Sequence, residues 1–183
     1  MILSAAHREF ARAGYHGAST ASIARTAQCS EPMLYKHFAS KELLFVAVLE
    51  AICADLDRRF DALIDAPGSL LDLWETTLPT LLADPRYAEM TRLRKLAISI
   101  IDQPDVHRLL SDLQDQHERR VAALVERGQR EGHVRGDVDP LYVAHVWSGI
   151  VFNASYREAL RPGAFESLLP HLQRFLATIR TSS

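Results

Sequence analysis

The fold is decided by the stretch from Ser19 to Lys41, which reads STASIARTAQCSEPMLYKHFASK. Ser19 is placed to cap a short helix, because its hydroxyl can accept a hydrogen bond from a free backbone N–H two or three residues further on. Ser30 is placed to cap a second helix, and Pro32 falls in the first turn of that helix, where a missing N–H costs nothing. The stretch therefore predicts two short helices joined by a tight turn, which is a helix-turn-helix.

The apolar residues of this stretch fall on one face of each predicted helix. Ile23, Ala24 and Ala27 share a face at helical spacing in the first helix. Leu34 and Phe38 are four positions apart and form the inward face of the second helix. The other side chains of the second helix are mostly polar and point away from that face. A helix with such an outer surface fits the major groove of DNA, where the base edges are distinguishable.

Residues 3–45 resemble the DNA-binding domain of the tetracycline-repressor (TetR) family of transcriptional regulators. The resemblance covers about a quarter of the chain, and its most specific part is the segment L-Y-x-H-F-x-S-K-E, which begins at Leu34. The residues that carry the resemblance are Leu3, Ala5, Ala6, Phe10, Gly14, Tyr15, Thr20, Ile23, Ala24, Ala27, Ser30, Leu34, Tyr35, His37, Phe38, Ser40, Lys41, Glu42 and Leu44.

The sequence departs from the family pattern at two places. The family usually has Gly-Val in the turn, where this chain has Gln28 and Cys29. If Gln28 takes the left-handed backbone conformation that Gly fills in relatives, the strain costs roughly 1 kcal/mol. The family also usually has a short basic arm ahead of its first helix. Here the chain starts at Met1, almost inside that helix, so either the arm is missing or the natural chain is longer.

The resemblance implies that residues 1–45 form a helix-turn-helix DNA-binding domain and residues 46–183 a ligand-binding and dimerisation domain. Thr20 and Lys41 resemble family phosphate contacts, and Tyr35 and His37 resemble contacts to phosphates and base edges. For an isolated helix, Tyr35 as half-buried packing and Lys36 as a solvated charge are an alternative. The expected DNA contacts are Ser19, Thr20, Ser30, Glu31, Pro32, Met33, Tyr35, Lys36, His37 and Lys41.

Charge and composition agree with a DNA-binding head on an acidic body. Residues 1–41 hold five Lys and Arg against two Glu, a net charge of +3, whereas the whole chain of 183 residues carries −2. No apolar run has the length of a signal peptide or a membrane span, so we expect a cytoplasmic protein without a membrane partner. The two cysteines, Cys29 and Cys53, are then reduced thiols, with a redox pair as the alternative.

The rest of the chain shows helical periods and no strand pattern, which makes the predicted fold all-α. A first helix over residues 1–14 is expected to end at Gly14, since glycine commonly follows a helix. The fourth helix runs from the motif towards Ala66 and stops at Pro67-Gly68. Further helices are expected over residues 69–82, 85–101, 104–132, 140–160 and 165–179. The count of nine helices and their order resemble the TetR architecture, a three-helix head followed by a helical bundle.

Apolar and aromatic residues of the body are candidates for a small-molecule pocket. His117 continues the apolar stripe of its helix, so it is either the polar contact of an apolar pocket or a core histidine bonded to a backbone carbonyl. Aromatic residues at helical spacing usually belong to an ordinary core. The candidate ligand residues are Trp74, Leu78, Met90, Leu93, Ala97, His117 and Trp147.

The segment from Leu141 to Phe152 reads LYVAHVWSGIVF and is apolar nearly all round. Such a helix has to be covered on every side, so we expect one face to pack on its own domain and the other on a second subunit. A helix wholly central to the monomer is the alternative. Helix-turn-helix readers commonly dimerise to match a two-fold operator. The candidate dimer residues are Tyr142, Val146, Ile150, Leu168, Leu172 and Phe175.

The chain contains no G-x-S-x-G, H-E-x-x-H or Glu-x-x-His motif and no Gly-rich phosphate loop. We therefore expect no enzyme, no cofactor and no metal. The predicted function is a DNA-binding transcriptional regulator, a repressor rather than an activator because the family mostly occludes promoters, released by a small apolar or aromatic effector. Two other classes are an all-α enzyme or carrier with an incidental helix-turn-helix, and a module whose second motif helix contacts a protein.

Overall fold

The computed structural model describes residues 1–64, 66, 71–72, 74–76, 80, 84–161 and 169–181. In this part of the chain every element longer than a turn is a helix, which confirms the predicted all-α class. The eight helices with described bounds are α1 (Ile2–Gly17), α2 (Thr20–Thr26), α3 (Glu31–His37), α4 (Lys41–Ile64), α5 (Pro85–Ile98), α6 (Pro104–Arg130), α7 (Pro140–Leu160) and α8 (Leu169–Ile179).

The helix predicted over residues 69–82 lies mostly outside the described residues. Its described positions, Leu71, Asp72, residues 74–76 and Thr80, are helical. Among the described residues, no helix combines the length and the apolar content that crossing a bilayer requires.

The first helix is interrupted at Gly14, the residue where the sequence predicts its end. Gly14 has the non-helical angles φ 71° and ψ 176°, and one further turn follows it to Gly17. Glycine has no Cβ and adopts a positive φ at little cost. After this interruption, the Ala18 N–H donates to the Gly14 carbonyl over 3.2 Å, so the last turn of α1 re-forms.

The turn of the helix-turn-helix has the geometry expected from its unusual sequence. Gln28 has φ 55°, and it is the non-glycine residue with positive φ in the described chain. This confirms that Gln28 takes the left-handed conformation. The Gln28 N–H donates to the Arg25 carbonyl and the Cys29 N–H to the Ala24 carbonyl, so α2 ends in a closed turn.

By packing, the chain divides into two compact units. The first is Met1–Asp57 with Pro85–Leu113, and the second is Arg58–Asp84 with Gln114–Ser183. The helices α4 and α6 each contribute residues to both units. The boundary between a head at 1–45 and a body at 46–183 is a functional division, and it stays a prediction.

The core of the first unit fixes the helix-turn-helix on α1 and α4. Phe10 of α1 is completely buried, and its ring meets the ring of Phe45 edge-on at 5.0 Å. Ile23 of α2 and Leu34 of α3 are also completely buried. In the same unit, the Asp105 N–H at the start of α6 donates to the Glu42 carboxylate over 3.2 Å, which ties α6 to the start of α4.

The core of the second unit is built on α7 and centred on two tryptophans. The rings of Trp74 and Trp147 stack with centroids 4.3 Å apart and planes 4° from parallel. The last residues of the described chain run beside the loop between α6 and α7, where the Arg135 N–H donates to the Ile179 carbonyl and the Thr181 N–H to the His133 carbonyl. These bonds fasten the end of α8.

Candidate nucleic-acid interface

The helix α3 buries one side chain and exposes most of the others. Leu34 is completely buried, whereas its neighbours Met33 and Tyr35 are 46% and 47% exposed. Lys36 and His37 are exposed as well. A seven-residue helix with a single buried anchor therefore presents an outer face that nothing in its own unit covers, as the sequence pattern indicates.

Serine hydroxyls cap α2, α3 and α4, and the first two of these caps are predicted from the sequence. The Ser19 Oγ accepts from the Ser22 N–H at 3.1 Å, the Ser30 Oγ from the Met33 N–H at 3.3 Å and the Ser40 Oγ from the Leu43 N–H at 3.0 Å. Ser19 and Ser30, which are also predicted DNA contacts, thus use an oxygen lone pair as a cap. Because a hydroxyl is donor and acceptor at once, each of the two can still donate its proton.

The predicted contacts Thr20, Glu31 and Tyr35 meet at the junction of α2 and α3. The Thr20 hydroxyl donates to the Glu31 carboxylate, and the Thr20 Oγ1 lies 3.3 Å from the Tyr35 hydroxyl oxygen. Glu31 is half-buried. The sequence placed Glu31 on the outward face, but its carboxylate is engaged within the chain.

A buried carboxylate on α1, which the sequence reasoning did not single out, holds α2 in place. Glu9 is 9% exposed and accepts hydrogen bonds from Ser22 at 3.1 Å and Thr26 at 3.2 Å. Arg12 donates to the same carboxylate at 2.9 Å. The Arg12 hydrogen bond holds the pKa of Glu9 below its usual value, with burial opposing it and the two hydroxyls adding to it. The sequence pattern that could have indicated this contact is the pair Ser22 and Thr26, whose hydroxyls lie four positions apart on one face of α2.

Lys41, a predicted phosphate contact, is bound to the end of α1. Its ammonium donates to the Tyr15 carbonyl at 2.9 Å and the Ala18 carbonyl at 3.1 Å. The same nitrogen lies 4.5 Å from the centre of the Tyr15 ring. Burial, and secondarily the charge of Glu42, raises the pKa of Tyr15. Lys41 therefore closes the last turn of α1 and has one N–H left for a partner outside the chain.

The candidate ligand residues are distributed over both units. Trp74 and Trp147 are buried together in the second unit, where His117 is half-buried on α6. Met90, Leu93 and Ala97 are buried on α5 in the first unit. Leu78 lies outside the described residues. The ligand pocket stays a prediction, and Trp74 and Trp147 are in direct contact with each other.

The candidate dimer residues lie mostly on the inner side of their helices. Leu172 is 2% exposed, and Ile150 and Phe175 pack against the core of the second unit. Val146 is half-buried, Tyr142 is 62% exposed and Leu168 lies outside the described residues. The large apolar side chains that α7 does expose are Leu141, Tyr142, Phe152, Tyr156 and Leu160. The helix is therefore not wholly central to the monomer, which removes that alternative.

Within the described residues, no group of three or more His, Cys, Asp or Glu side chains is arranged to hold a metal ion. The thiol of Cys53 is buried, which raises its pKa to about 11. Cys29 is half-buried in the turn before α3.

Comparison with known proteins identifies this head. Residues 2–48 match the family model of bacterial regulatory proteins of the tetR family. The chain is also 27% identical, over 158 residues, to the transcriptional repressor NicS of Pseudomonas putida, a match that covers 75% of this chain and 66% of NicS. Residues 2–48 therefore carry the DNA-binding domain of the TetR family. The chain thus spans just under two thirds of the length of the first curated relative that it matches.

Solved structures extend the likeness to the body of the chain. A putative TetR-family regulator from Mesorhizobium loti is 25% identical, covers 97% of this chain and 92% of its own, and superimposes with a TM-score of 0.75. A putative regulator from Saccharomonospora viridis, solved in complex with choline, is 21% identical, covers 99% and 96%, and has a TM-score of 0.82. These matched proteins are named as transcriptional regulators.

Proposed function

We propose that the chain is a homodimeric transcriptional repressor that acts in the cytoplasm. It binds a two-fold operator through α3 and leaves the operator when a small molecule binds in the body. The observation that carries the proposal is the outer face of α3, where the exposed Met33, Tyr35 and Lys36 surround the buried Leu34. The repressor NicS among its relatives supports the direction of the effect.

The exposed side chains of α3 divide into two kinds of DNA contact. Lys36 and His37 are polar and exposed and serve as contacts to phosphates, which fix the position of the helix on the duplex. Met33 offers an apolar surface to the methyl group of a thymine, a contact that distinguishes bases in the major groove. Lys41 contributes its charge and its one remaining N–H, while its main role is to hold α1.

The homodimer is proposed to form through the outer face of α7. Leu141, Tyr142, Phe152, Tyr156 and Leu160 are between 51% and 64% exposed. At about 100° per residue these five lie within an arc of about 100° on one side of the helix. Val143, Ala144 and Trp147, which are buried, lie on the other side. Gly149 falls within the exposed arc, and nothing lies within 4 Å of the position that a Cβ would take there. A second helix can approach the chain closely at this point.

The effector is proposed to bind beside Trp74 in the second unit. The Trp74 Nε1 and the Ser148 Oγ are buried and have no hydrogen-bond partner among the described residues. An unpaired buried polar atom costs about 1–3 kcal/mol, and a bound molecule with a hydrogen-bond acceptor recovers this cost. His117 already has an interaction within the chain, so Trp74 replaces it as the proposed polar anchor. The Saccharomonospora viridis regulator, in complex with choline, shows that a chain of this fold binds a small molecule.

The proposed release of DNA runs along α4 and α6, which both have residues in the two units. A ligand that fits best with α4 tilted moves the two α3 helices off the spacing of adjacent major grooves, about 34 Å. Such coupling is reciprocal, so operator DNA weakens ligand binding by the same factor, typically about 5- to 150-fold.

DNA binding is tested by selection from a random duplex library at low salt. We expect the wild-type chain to enrich a sequence with two-fold symmetry. A chain that enriches no sequence contradicts the proposal and favours a protein as the partner of α3.

Effector binding is tested by a thermal-shift screen of aromatic carboxylates, followed by calorimetric titration of a hit with and without operator. Trp74→Phe keeps an aromatic ring and removes the N–H donor, so this variant is expected to bind the hit compound more weakly while it retains the fold. Equal affinity with and without operator would remove the allosteric claim.

A further inference from the structure

A carboxylate lies among the hydroxyl groups of the proposed DNA face. Glu31 is in the first turn of α3 and accepts a hydrogen bond from the hydroxyl of Thr20, which is at the start of α2. The Thr20 Oγ1 lies 3.3 Å from the hydroxyl oxygen of Tyr35, a residue that is 47% exposed. Three side chains from the two helices of the motif thus form one hydrogen-bonded chain on this face.

The direction of the hydrogen bonds in this chain follows from the number of protons. A threonine hydroxyl can donate one hydrogen bond, and Thr20 donates it to Glu31. The bond between Thr20 and Tyr35 therefore has to run from the tyrosine O–H to the threonine oxygen. Both hydroxyl protons are directed along the chain towards the carboxylate. Neither is available to an acceptor outside the protein while the chain is intact.

This arrangement opposes binding of a DNA phosphate at the same place. Threonine and tyrosine hydroxyls are ordinary donors to phosphate oxygens, but here a phosphate has to compete with Glu31 for the same two protons. The negative charge of the carboxylate also repels the phosphate, because like charges at close distance destabilise each other. The hydroxyls become phosphate donors when Glu31 turns away from Thr20.

We propose that Glu31 makes the phosphate contacts of Thr20 and Tyr35 conditional on the base sequence. A carboxylate in the major groove accepts a hydrogen bond from the N4 amino group of cytosine. At an operator with a cytosine in reach of the start of α3, Glu31 binds that base. The Thr20 and Tyr35 hydroxyls are then free to donate hydrogen bonds to the phosphates of the DNA backbone. On other DNA, Glu31 stays on Thr20 and repels the phosphate. This inference rests on the proposed function, since it assumes that α3 enters a major groove.

Glu31 therefore raises the ratio of operator to non-operator affinity in two ways, because it strengthens binding to the operator and weakens binding to other DNA. Glu31 adds a base contact on the operator, and it withholds two donors on any other sequence. Loss of its carboxylate is therefore expected to lower this ratio by about 5- to 150-fold, the cost of one mismatched base pair. Affinity for non-operator DNA is expected to rise.

The test compares variants on the selected operator and on a scrambled duplex of the same length, by fluorescence anisotropy at fixed salt. Glu31→Ala removes both the charge and the acceptor, and Glu31→Gln removes the charge but keeps an acceptor for Thr20. Glu50→Ala is the matched control, because Glu50 is an exposed carboxylate of α4 in the same unit. It removes an equal charge and leaves Thr20 untouched. Thr20→Val is made alone and together with Glu31→Ala.

Glu31→Ala is expected to bind the scrambled duplex more tightly than Glu50→Ala does, and this excess becomes smaller when Thr20→Val is also present, because the Thr20 hydroxyl can then no longer donate to a phosphate. On operator variants, Glu31→Ala loses its preference for cytosine at one position, Glu31→Gln keeps a weaker preference because its amide oxygen is still an acceptor, and Glu50→Ala retains the full preference. If Glu31→Ala shifts both affinities by the same factor as Glu50→Ala, the inference is wrong and the chain of hydrogen bonds only fixes α3 on α2. A wild-type chain that binds no duplex contradicts the proposed function itself, and the inference with it.

Discussion

Among the described helices, α3 in the first unit and α7 in the second each leave a face uncovered. The outer face of α3 carries Met33, Tyr35, Lys36 and His37, most of them polar. The outer face of α7 carries five large apolar side chains that are each more than half exposed. Both helices bury their opposite side in the same way, against the core of their own unit. The difference between the uncovered faces is chemical.

This difference indicates which kind of partner each helix takes. Polar and basic side chains at a surface gain most from phosphate and base edges, which supply acceptors in fixed positions. Large apolar side chains gain from being removed from water, at about 25 cal/mol per Å² of buried area, and a contiguous apolar patch commonly marks a protein interface. A two-fold operator requires both faces at once, because it is read by two copies of α3 held at a fixed distance.

The largest effect is expected from breaking the apolar face. Phe152→Glu together with Tyr156→Glu puts two charges on the outer side of α7 and is expected to give a monomer. A single copy of α3 loses the second half-site, and such a loss of bivalency costs on the order of 10² to 10⁴ in affinity. Light scattering distinguishes the 20.5 kDa chain from twice that mass, and anisotropy measures the operator affinity.

The matched control for this variant is Gln116→Glu, which puts a charge on an exposed position of α6. It is expected to keep the dimer and the affinity of the wild type. A wild-type chain that is monomeric at micromolar concentration, or a monomeric variant with full operator affinity, contradicts the link between the two faces.

On the polar face, two lysines that the sequence treats alike are expected to behave differently. Lys36 is exposed on α3, so Lys36→Ala is expected to reduce the slope of log affinity against log salt by about 0.9. The free energy of unfolding of the Lys36→Ala variant should differ from the wild-type value by less than about 0.5 kcal/mol, as is usual for an exposed position. Lys41 holds two carbonyls at the end of α1, so Lys41→Ala is expected to destabilise the chain by about 1 to 2 kcal/mol.

Denaturant melts and salt titrations of the two lysine variants separate these roles. If Lys41→Ala leaves the stability unchanged and reduces the salt slope as much as Lys36→Ala, Lys41 is a phosphate contact in the first place. The sequence resemblance, which predicts phosphate contacts at Lys41, would then describe this residue better than the contacts within the chain do.

The parts of the head that the sequence predicts are those that depend on neighbouring residues. The serine caps and the left-handed Gln28 are decided within about four positions along the chain, and all of them are found. The bond between Thr20 and Glu31 joins residues 11 positions apart, and that between Lys41 and the Tyr15 carbonyl joins residues 26 apart. Such contacts depend on how the helices meet, which local patterns do not contain.

The body shows the same limit for whole faces of a helix. The sequence predicts that α7 is apolar on both sides, and both of its sides are indeed apolar. It does not tell which side turns inward, because this is set by the packing of Trp147 on Trp74 and of Val143 in the core. The expected dimer residues Ile150 and Leu172 therefore lie inward, and Phe152 and Tyr156, which were not expected, lie outward.

Acid is expected to weaken the support beneath the polar face. The pKa of Glu9 is lowered in the folded chain, mainly by its hydrogen bond to Arg12. A carboxylate with a lowered folded pKa stabilises the fold above its unfolded pKa, and this stability is lost as the pH falls through the folded pKa. The free energy of unfolding should therefore decline below about pH 4.5, and the decline should be shallower in Glu9→Gln.

The measurement is a set of denaturant melts between pH 3 and pH 7. Glu131→Gln is the control, because the pKa of Glu131 is also lowered, by Arg127, but Glu131 lies at the loop before α7 in the second unit. A shallower decline in both variants is expected for stability, whereas loss of operator binding at pH 7 is expected for Glu9→Gln alone. Equal operator binding in the two variants would show that Glu9 does not position α2.

The smallest effect is expected at the turn that sets the angle of the polar face. Gln28 has φ 55°, and a side chain in this conformation brings its Cβ too close to the following carbonyl oxygen. Gln28→Gly removes that strain and is expected to raise the free energy of unfolding by at most about 1 kcal/mol, because the greater freedom of glycine in the unfolded chain offsets part of the gain. Arg25→Gly is the control, because Arg25 is exposed in the right-handed backbone of α2. There glycine is expected to lower the stability by about 1 kcal/mol. If denaturant melts give changes in the free energy of unfolding of opposite sign for the two variants, the backbone conformation decides the effect. Changes of the same sign would contradict this. Because α3 keeps its outer face in both variants, the salt slope of operator binding should stay that of the wild type.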